Sequence, residues 1–233
     1  MLTLEKAKEL LDTTTTQEHL VLHAKNVMAA MSGMAKHFGE DEAHWMAIGY
    51  LHDYDYEQHP EEHLQYTAEP LRAAGLEDLH MGFESGSDFI LTLMNKGVSS
   101  LDVLAAARKM EKADIGYFVT VILGLGGRTY RNIHALETAR VLSQMNPKGI
   151  WCLNLKVWEN TPLEQMAKQG EFDPMTPWEM LQEEWIMLNN LNVKNCFYMD
   201  TTALNKYTVQ GILPQAKPAL LEGIRQLLEQ ERP

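Results

Sequence analysis

Two different rhythms of apolar and polar residues divide the chain. Over residues 4–75 apolar positions recur at spacings of three and four, the period of helices that bury one face. LEKAKELLD opens a first helix, and the threonines at 13–16 are suited to ending it and capping the next. Leu20, His23, Val27, Met31, Met34 and Phe38 then mark the buried face of a long second helix that stops at Gly39. Ala43, Met46, Ala47, Tyr50 and Leu51 mark a third, and Pro60 with Glu61 and Glu62 starts a fourth that ends at Gly75.

Beyond residue 78 the rhythm changes to short apolar runs alternating with helices. LHMGFES, IGYFVTVILGL and GIWCLNLKVW read as strands, and SLDVLAAARKMEKA and RNIHALETARVLSQM as the helices between them. Strands that are apolar on both faces and joined through helices imply parallel pairing. Further helices are expected at 162–170, 177–191 and 215–231, with an irregular segment over 194–214. The fold class expected is α+β to α/β, with a helical segment at 1–78 followed by a three-stranded parallel βα half-barrel with C-terminal helices at 79–233.

Charge sharpens that division. Residues 1–78 hold 15 acidic and 5 basic side chains, whereas the rest of the chain is nearly balanced. A net charge of −12 argues against nucleic acid or an anionic membrane surface as partner, because both bind clustered Lys and Arg. No apolar run reaches the roughly 18–20 residues that span a bilayer, and the charged opening has no signal-peptide core, so a cytoplasmic protein is expected. Cys152 and Cys196 stand far apart without a CxxC spacing, which suggests reduced structural thiols.

Candidate chemistry in the first stretch lies in HLVLHAKNVMAAMSGMAKHFGEDEAHWMAIGYLHDYDYEQHPEEH. His23 on the second helix and the pair His52-Asp53 closing the third would bring two imidazoles and a carboxylate together, a donor set for Mn, Fe, Mg or Zn. Over residues 4–78 this arrangement resembles the HD superfamily of metal-dependent phosphohydrolases. The resemblance implies a helical domain whose metal is held by His23, His52 and Asp53 and which hydrolyses phosphate esters, often of nucleotides. It also implies a fourth ligand, an Asp on a later helix, at a point where this sequence turns to strands. His63 is the substitute carried with the three, and Asp55, His59 and Asp114 are the others weighed. His19 is read as a solvated neighbour, and His37, His44, His80 and His134 as having no convergent partner.

In the second stretch the order GFESGSD, KG, VTVILGLGGRTYRN and LNLKVWENTPLEQM is more specific than any one piece. GLGGRT lacks the sixth-position glycine of a dinucleotide fingerprint, and no acid closes the next strand, which argues against a dehydrogenase. Across residues 79–215 the order resembles the second half of a radical SAM enzyme of the Elp3-like branch. That resemblance implies a cofactor-binding set of Glu84 and Ser85 beside a ribose, with Gly124 and Gly126 beside an adenine. The CxxxCxxC loop that would hold the cluster is absent, so neither S-adenosylmethionine nor a [4Fe-4S] cluster is expected.

The chain thus reads as a chimera of two truncated folds. The function expected is a weak or residual phosphohydrolase acting on a small phosphorylated molecule. The alternative is a non-catalytic remnant whose half-barrel binds a nucleoside or nothing. A half-barrel leaves strand edges and former interior side chains, Phe83, Phe118, Thr120 and Ile122 or their alternates, to be covered, so a homodimer is expected. A gel-filtration mass of one chain would contradict that expectation.

Overall fold

The structure, a computed structural model, describes residues 2–60, 72 and 77–232. They form two compact units, Met1–Leu79 with Lys109–Ile115, and His80–Arg108 with Gly116–Pro233.

Among the described residues the first unit carries α1 (Leu4–Thr14), α2 (Glu18–Phe38) and α3 (Glu42–Leu51). Local capping sets most of their ends. Thr3 accepts from the Lys6 amide at the start of α1, Asp41 accepts from the His44 amide at the start of α3, and Gly39 closes α2 in the left-handed region at φ 72°. Leu2, Ala7, Leu11, Ala24, Ala47, Tyr50, Leu51 and Tyr54 form the core of this unit. The stripe expected on α2 is only partly covered: Val27 and Met31 are half-buried, but Met34 and Phe38 are 47% and 58% exposed. A 21-residue helix packed against a partner of 10 residues hides a narrower stripe than its periodicity offers. The fourth helix expected from Pro60 to Gly75 falls largely outside the described residues.

From residue 78 the elements alternate: β1 (Asp78–Glu84), α4 (Asp88–Leu93), α5 (Ser100–Lys112), β2 (Gly116–Leu123), α6 (Gly127–Leu142) and β3 (Gly149–Asn154). They continue through α7 (Pro162–Gln169), α8 (Pro177–Asn190), β4 (Cys196–Met199), β5 (Gln210–Leu213) and α9 (Lys217–Gln230). The sheet has the order β1-β2-β3-β4-β5; β2 to β4 pair in parallel and β5 is antiparallel to β4. Among the described residues this is a mixed α/β fold with five strands rather than three. The segment expected to be irregular carries β4 and β5, each four residues long and therefore too short for a periodic signal.

Register divides the sheet's side chains between two faces. Phe118, Gly149, Phe197 and Ile212 stand in one row across β2 to β5, and Thr120 pairs with Trp151 in the next. His80 stacks on Phe118 at 5.0 Å, which puts β1's even-numbered residues on this same face. Phe83 therefore belongs to the opposite face with Val119, Val121, Ile150 and Tyr198, all fully buried, and not to the former interior with Phe118, Thr120 and Ile122. The Ser85-Gly86-Ser87 turn after β1 is explained by packing on α6. A Cβ at Gly86 would lie 2.4 Å from the Glu137 carbonyl, and the Gly86 amide donates to Thr138 Oγ1 at 3.0 Å.

Candidate metal centre

His23 lies in the second turn of α2, while His52 caps the end of α3 and Asp53 follows in the turn beyond it. The antiparallel packing of α2 on α3 brings them together. His23 Nε2 is 3.0 Å from His52 Nε2 and 3.2 Å from Asp53 Oδ2, and His52 Nε2 is 3.0 Å from the same carboxylate oxygen. Among the described residues these three are the one group of metal-ligating side chains that converge.

The backbone decides how His52 presents itself. Its Nδ1 is 2.9 Å from the Gly49 carbonyl, which can only accept, so Nδ1 carries the hydrogen and a neutral ring keeps its Nε2 lone pair for the cluster. Gly49 has a second role, since a Cβ there would meet Met31 Cγ at 2.7 Å and the Val27 carbonyl at 3.1 Å. Only glycine lets α3 approach α2 so closely one turn before the ligands.

The three separations can be compared with what an ion requires. Ligand atoms at right angles around a cation at about 2.1 Å stand about 3.0 Å apart, and all three pairs here fall at 3.0–3.2 Å. Three mutually adjacent donors, two imidazoles and one carboxylate, would suit a divalent transition-metal ion. His23 is half exposed and the other two are about one-third exposed, so the donors are reachable from solvent.

The other residues weighed as ligands lie elsewhere. Asp114 is an exposed partner of Arg72 at 2.9 Å. Asp55 is fully buried and its carbonyl accepts from the His59 amide, and neither side chain joins the three. His63 is outside the described residues.

The residues read as a nucleoside-binding set occupy the ends of β1 and β2 with their polar groups largely engaged. The Glu84 carboxyl is raised in pKa by burial, against Lys96 at 3.9 Å and Thr120 at 3.5 Å, and its backbone sits at φ 66°. Ser85 is buried and its hydroxyl accepts from the Ser87 amide. The Gly124 amide donates to Glu183, and a Cβ at Gly126 would touch Ile90 at 3.0 Å.

Sequence reasoning missed the buried acids of α8. His134, expected to lack a partner, is buried with its Nδ1 2.9 Å from Glu183 Oε1, linking α6 to α8. Beside it Tyr198 donates to Glu184 at 2.8 Å, the Cys152 thiol lies 3.4 Å from the Tyr198 hydroxyl, and Asp200 is buried close by. Burial, then the neighbouring Asp200 charge, pushes Glu184 up; burial raises Asp200 to about 6. The available signal was the acid pair inside the otherwise apolar helix MLQEEWIML, where a solvated face leaves no room for two adjacent charges.

The sheet and its helices place the second unit among α/β folds. In fold the chain is similar to archaeal Elp3 from Methanocaldococcus infernus, solved with residues 1–46 deleted, at a TM-score of 0.51 and 16% identity over 77% of this chain and 40% of that one. That likeness is one of fold alone: it agrees with the α/β fold expected of the second stretch and gives no support to the HD-like reading of the first. In sequence the chain is 30% identical over 94 residues to the uncharacterized protein MJ0486 of Methanocaldococcus jannaschii, a match covering 40% of this chain and 29% of that protein. No family model matches the chain. None of the described helices is long and apolar enough to cross a membrane.

Proposed function

We propose that the first unit is a metal-dependent phosphohydrolase centre of HD type, acting on a small phosphorylated molecule such as a nucleotide. The observation that carries this reading is the convergence of His23, His52 and Asp53 with all three donor separations near those of adjacent ligands on one ion. Two imidazoles beside a carboxylate favour a transition metal such as Mn, Fe or Zn over the harder Mg. When bound, such a cation supplies Lewis acidity that lowers the pKa of a water and offsets phosphate charge. The chain's own residues hold and orient: His52 is turned inward by Gly49, and Asp53 sets its oxygen between the two rings.

In the second unit, the engagement of Ser85 with Ser87 and of Gly124 with Glu183 supports a structural role for the glycine turns rather than nucleoside binding. Hydrolysis of nucleoside monophosphates and p-nitrophenyl phosphate, assayed with and without Mn²⁺, tests the proposal. Activity is expected only with metal, and is expected to fall by more than about 100-fold in His52→Ala, because losing a ligand costs more than losing an outer-shell partner, which costs about 10- to 100-fold. Hydrolysis that persists in EDTA and in that variant would refute it.

A further inference from the structure

The long helix that carries His23 lacks a cap of its own. Gln17 stands at its N-cap position and makes no side-chain capping bond. The first amides of such a helix are unsatisfied donors, and its N-terminal dipole favours a negative charge. One of these amides, that of the N-cap residue Gln17, shares its acceptor with the Thr16 amide just before it, and that acceptor comes from 40 residues further along the chain. Glu57 Oε2 accepts from the Thr16 amide at 2.6 Å and the Gln17 amide at 2.9 Å, while its Oε1 accepts from the Thr16 hydroxyl at 2.7 Å. Those bonds, the one from Gln17 first, hold the Glu57 carboxyl below the usual carboxylate range.

The position of this clamp matters as much as its strength. Glu57 sits in the turns that follow α3, four residues after Asp53, and the intervening backbone is folded tightly by the Tyr56 amide donating to the Asp53 carbonyl at 3.1 Å. At its other end, Gln17 is six residues before His23, about 9 Å along the helix axis. The segment bearing His52 and Asp53 is thus tied to α2 twice. Gly49 against Met31 and Val27 fixes one side of the ligands, and Glu57 against Thr16 and Gln17 fixes the other.

We propose that Glu57 is a positioning residue for the His23, His52 and Asp53 centre: by capping α2 from the ligand-bearing turn, it sets the distance between the ligand on α2 and the two that follow α3. This inference rests on the metal-centre reading. Without the clamp, the start of α2 and the turn at 53–57 move independently, and three donors that must hold separations of about 3 Å lose their register. A residue that acts only through overall stability would lower the melting temperature without changing the affinity of the folded protein.

The experiment is titration of the full chain with Mn²⁺ by isothermal calorimetry, alongside thermal unfolding, in wild type, Glu57→Ala, Glu57→Gln, Thr16→Val and Leu11→Ala. Glu57→Ala is expected to bind Mn²⁺ about 10- to 100-fold more weakly, the range for lost outer-sphere support of metal ligands. Glu57→Gln keeps an acceptor oxygen and is expected to recover most of that loss, and Thr16→Val, which removes one of the three bonds, to lose a few-fold. Leu11→Ala, a core truncation in the same unit, is expected to lower the melting temperature while leaving affinity within about twofold. Equal affinity in wild type and Glu57→Ala overturns the inference and leaves the metal centre standing, as does a Leu11→Ala affinity as weak as that of Glu57→Ala. If Glu57→Ala does not fold, Thr16→Val decides, with unchanged affinity counting against the clamp. No Mn²⁺ binding by wild type overturns the metal reading and this inference together.

Discussion

At the scale of single residues, the candidate centre depends on a glycine that carries no chemistry of its own. Gly49 orients His52 through its carbonyl and lets α3 approach α2 through its missing Cβ. Gly49→Ala keeps the carbonyl but forces a methyl to 2.7 Å from Met31 Cγ. The variant is expected to lose about 1–3 kcal/mol of stability, the usual cost of overpacking, and to bind Mn²⁺ less tightly; denaturant unfolding and metal titration check the two effects. The histidines and Asp53 were legible in the sequence because their residue types announce ligand chemistry. Gly49 and Glu57 were not, because a glycine's close contact and a carboxylate's bond to a backbone 40 residues away leave no periodic trace. Met34 and Phe38 show the converse: their spacing was read correctly as helical, but spacing does not say whether a partner helix exists to cover the face.

At the scale of elements, strands β1 to β3 and the helices between them followed the apolar pattern closely, and β4 and β5 did not. Cys196–Met199 is held by pairing rather than by pattern: β3 on one side, β5 on the other, and the Asp200 carboxylate accepting from the Val209 amide where the two strands separate. The same element ends carry the buried carboxyls, with consequences for pH. Asp200, raised to about 6, and Glu184, raised in the same direction, titrate at their ordinary lower values when unfolded. The folded state therefore favours their protonated forms: the stability each contributes is full below about pH 4 and falls as pH rises, Asp200's being lost through about 6. Carboxylates held low, such as Glu179 at about 2 beside Arg128, act in the opposite sense but at lower pH, and are fully ionised throughout the range that matters here. Glu184→Gln keeps an acceptor for Tyr198 and removes one titration. Its melting temperature is expected to rise relative to wild type by a few degrees between about pH 5 and about pH 8. A difference that stays constant over that range would show that burial does not raise Glu184 above its value in the unfolded chain.

At the scale of the whole molecule, two kinds of order meet in one chain. The likeness to Elp3 covers 40% of that protein, and the sheet has five strands with a half-buried face of Phe118, Trp151 and Met199 that continues to Phe197 and Ile212, 36% and 58% exposed. The change of rhythm near residue 78 was visible in the sequence because helix and strand periods differ. What was missed was the side of the sheet to which Phe83 belongs: DLHMGFE puts Leu79, Met81 and Phe83 on one face, but nothing local says which face of β2 they join. The functional account depends on the helical unit holding one ion through His23, His52 and Asp53. Elemental analysis of tag-free protein, equilibrated with equimolar Mn²⁺, Fe²⁺, Mg²⁺ and Zn²⁺ and then desalted, tests this most directly. The account predicts close to one transition-metal ion per chain in wild type and almost none in His52→Ala; sub-stoichiometric metal in both, or the same content in both, would contradict it.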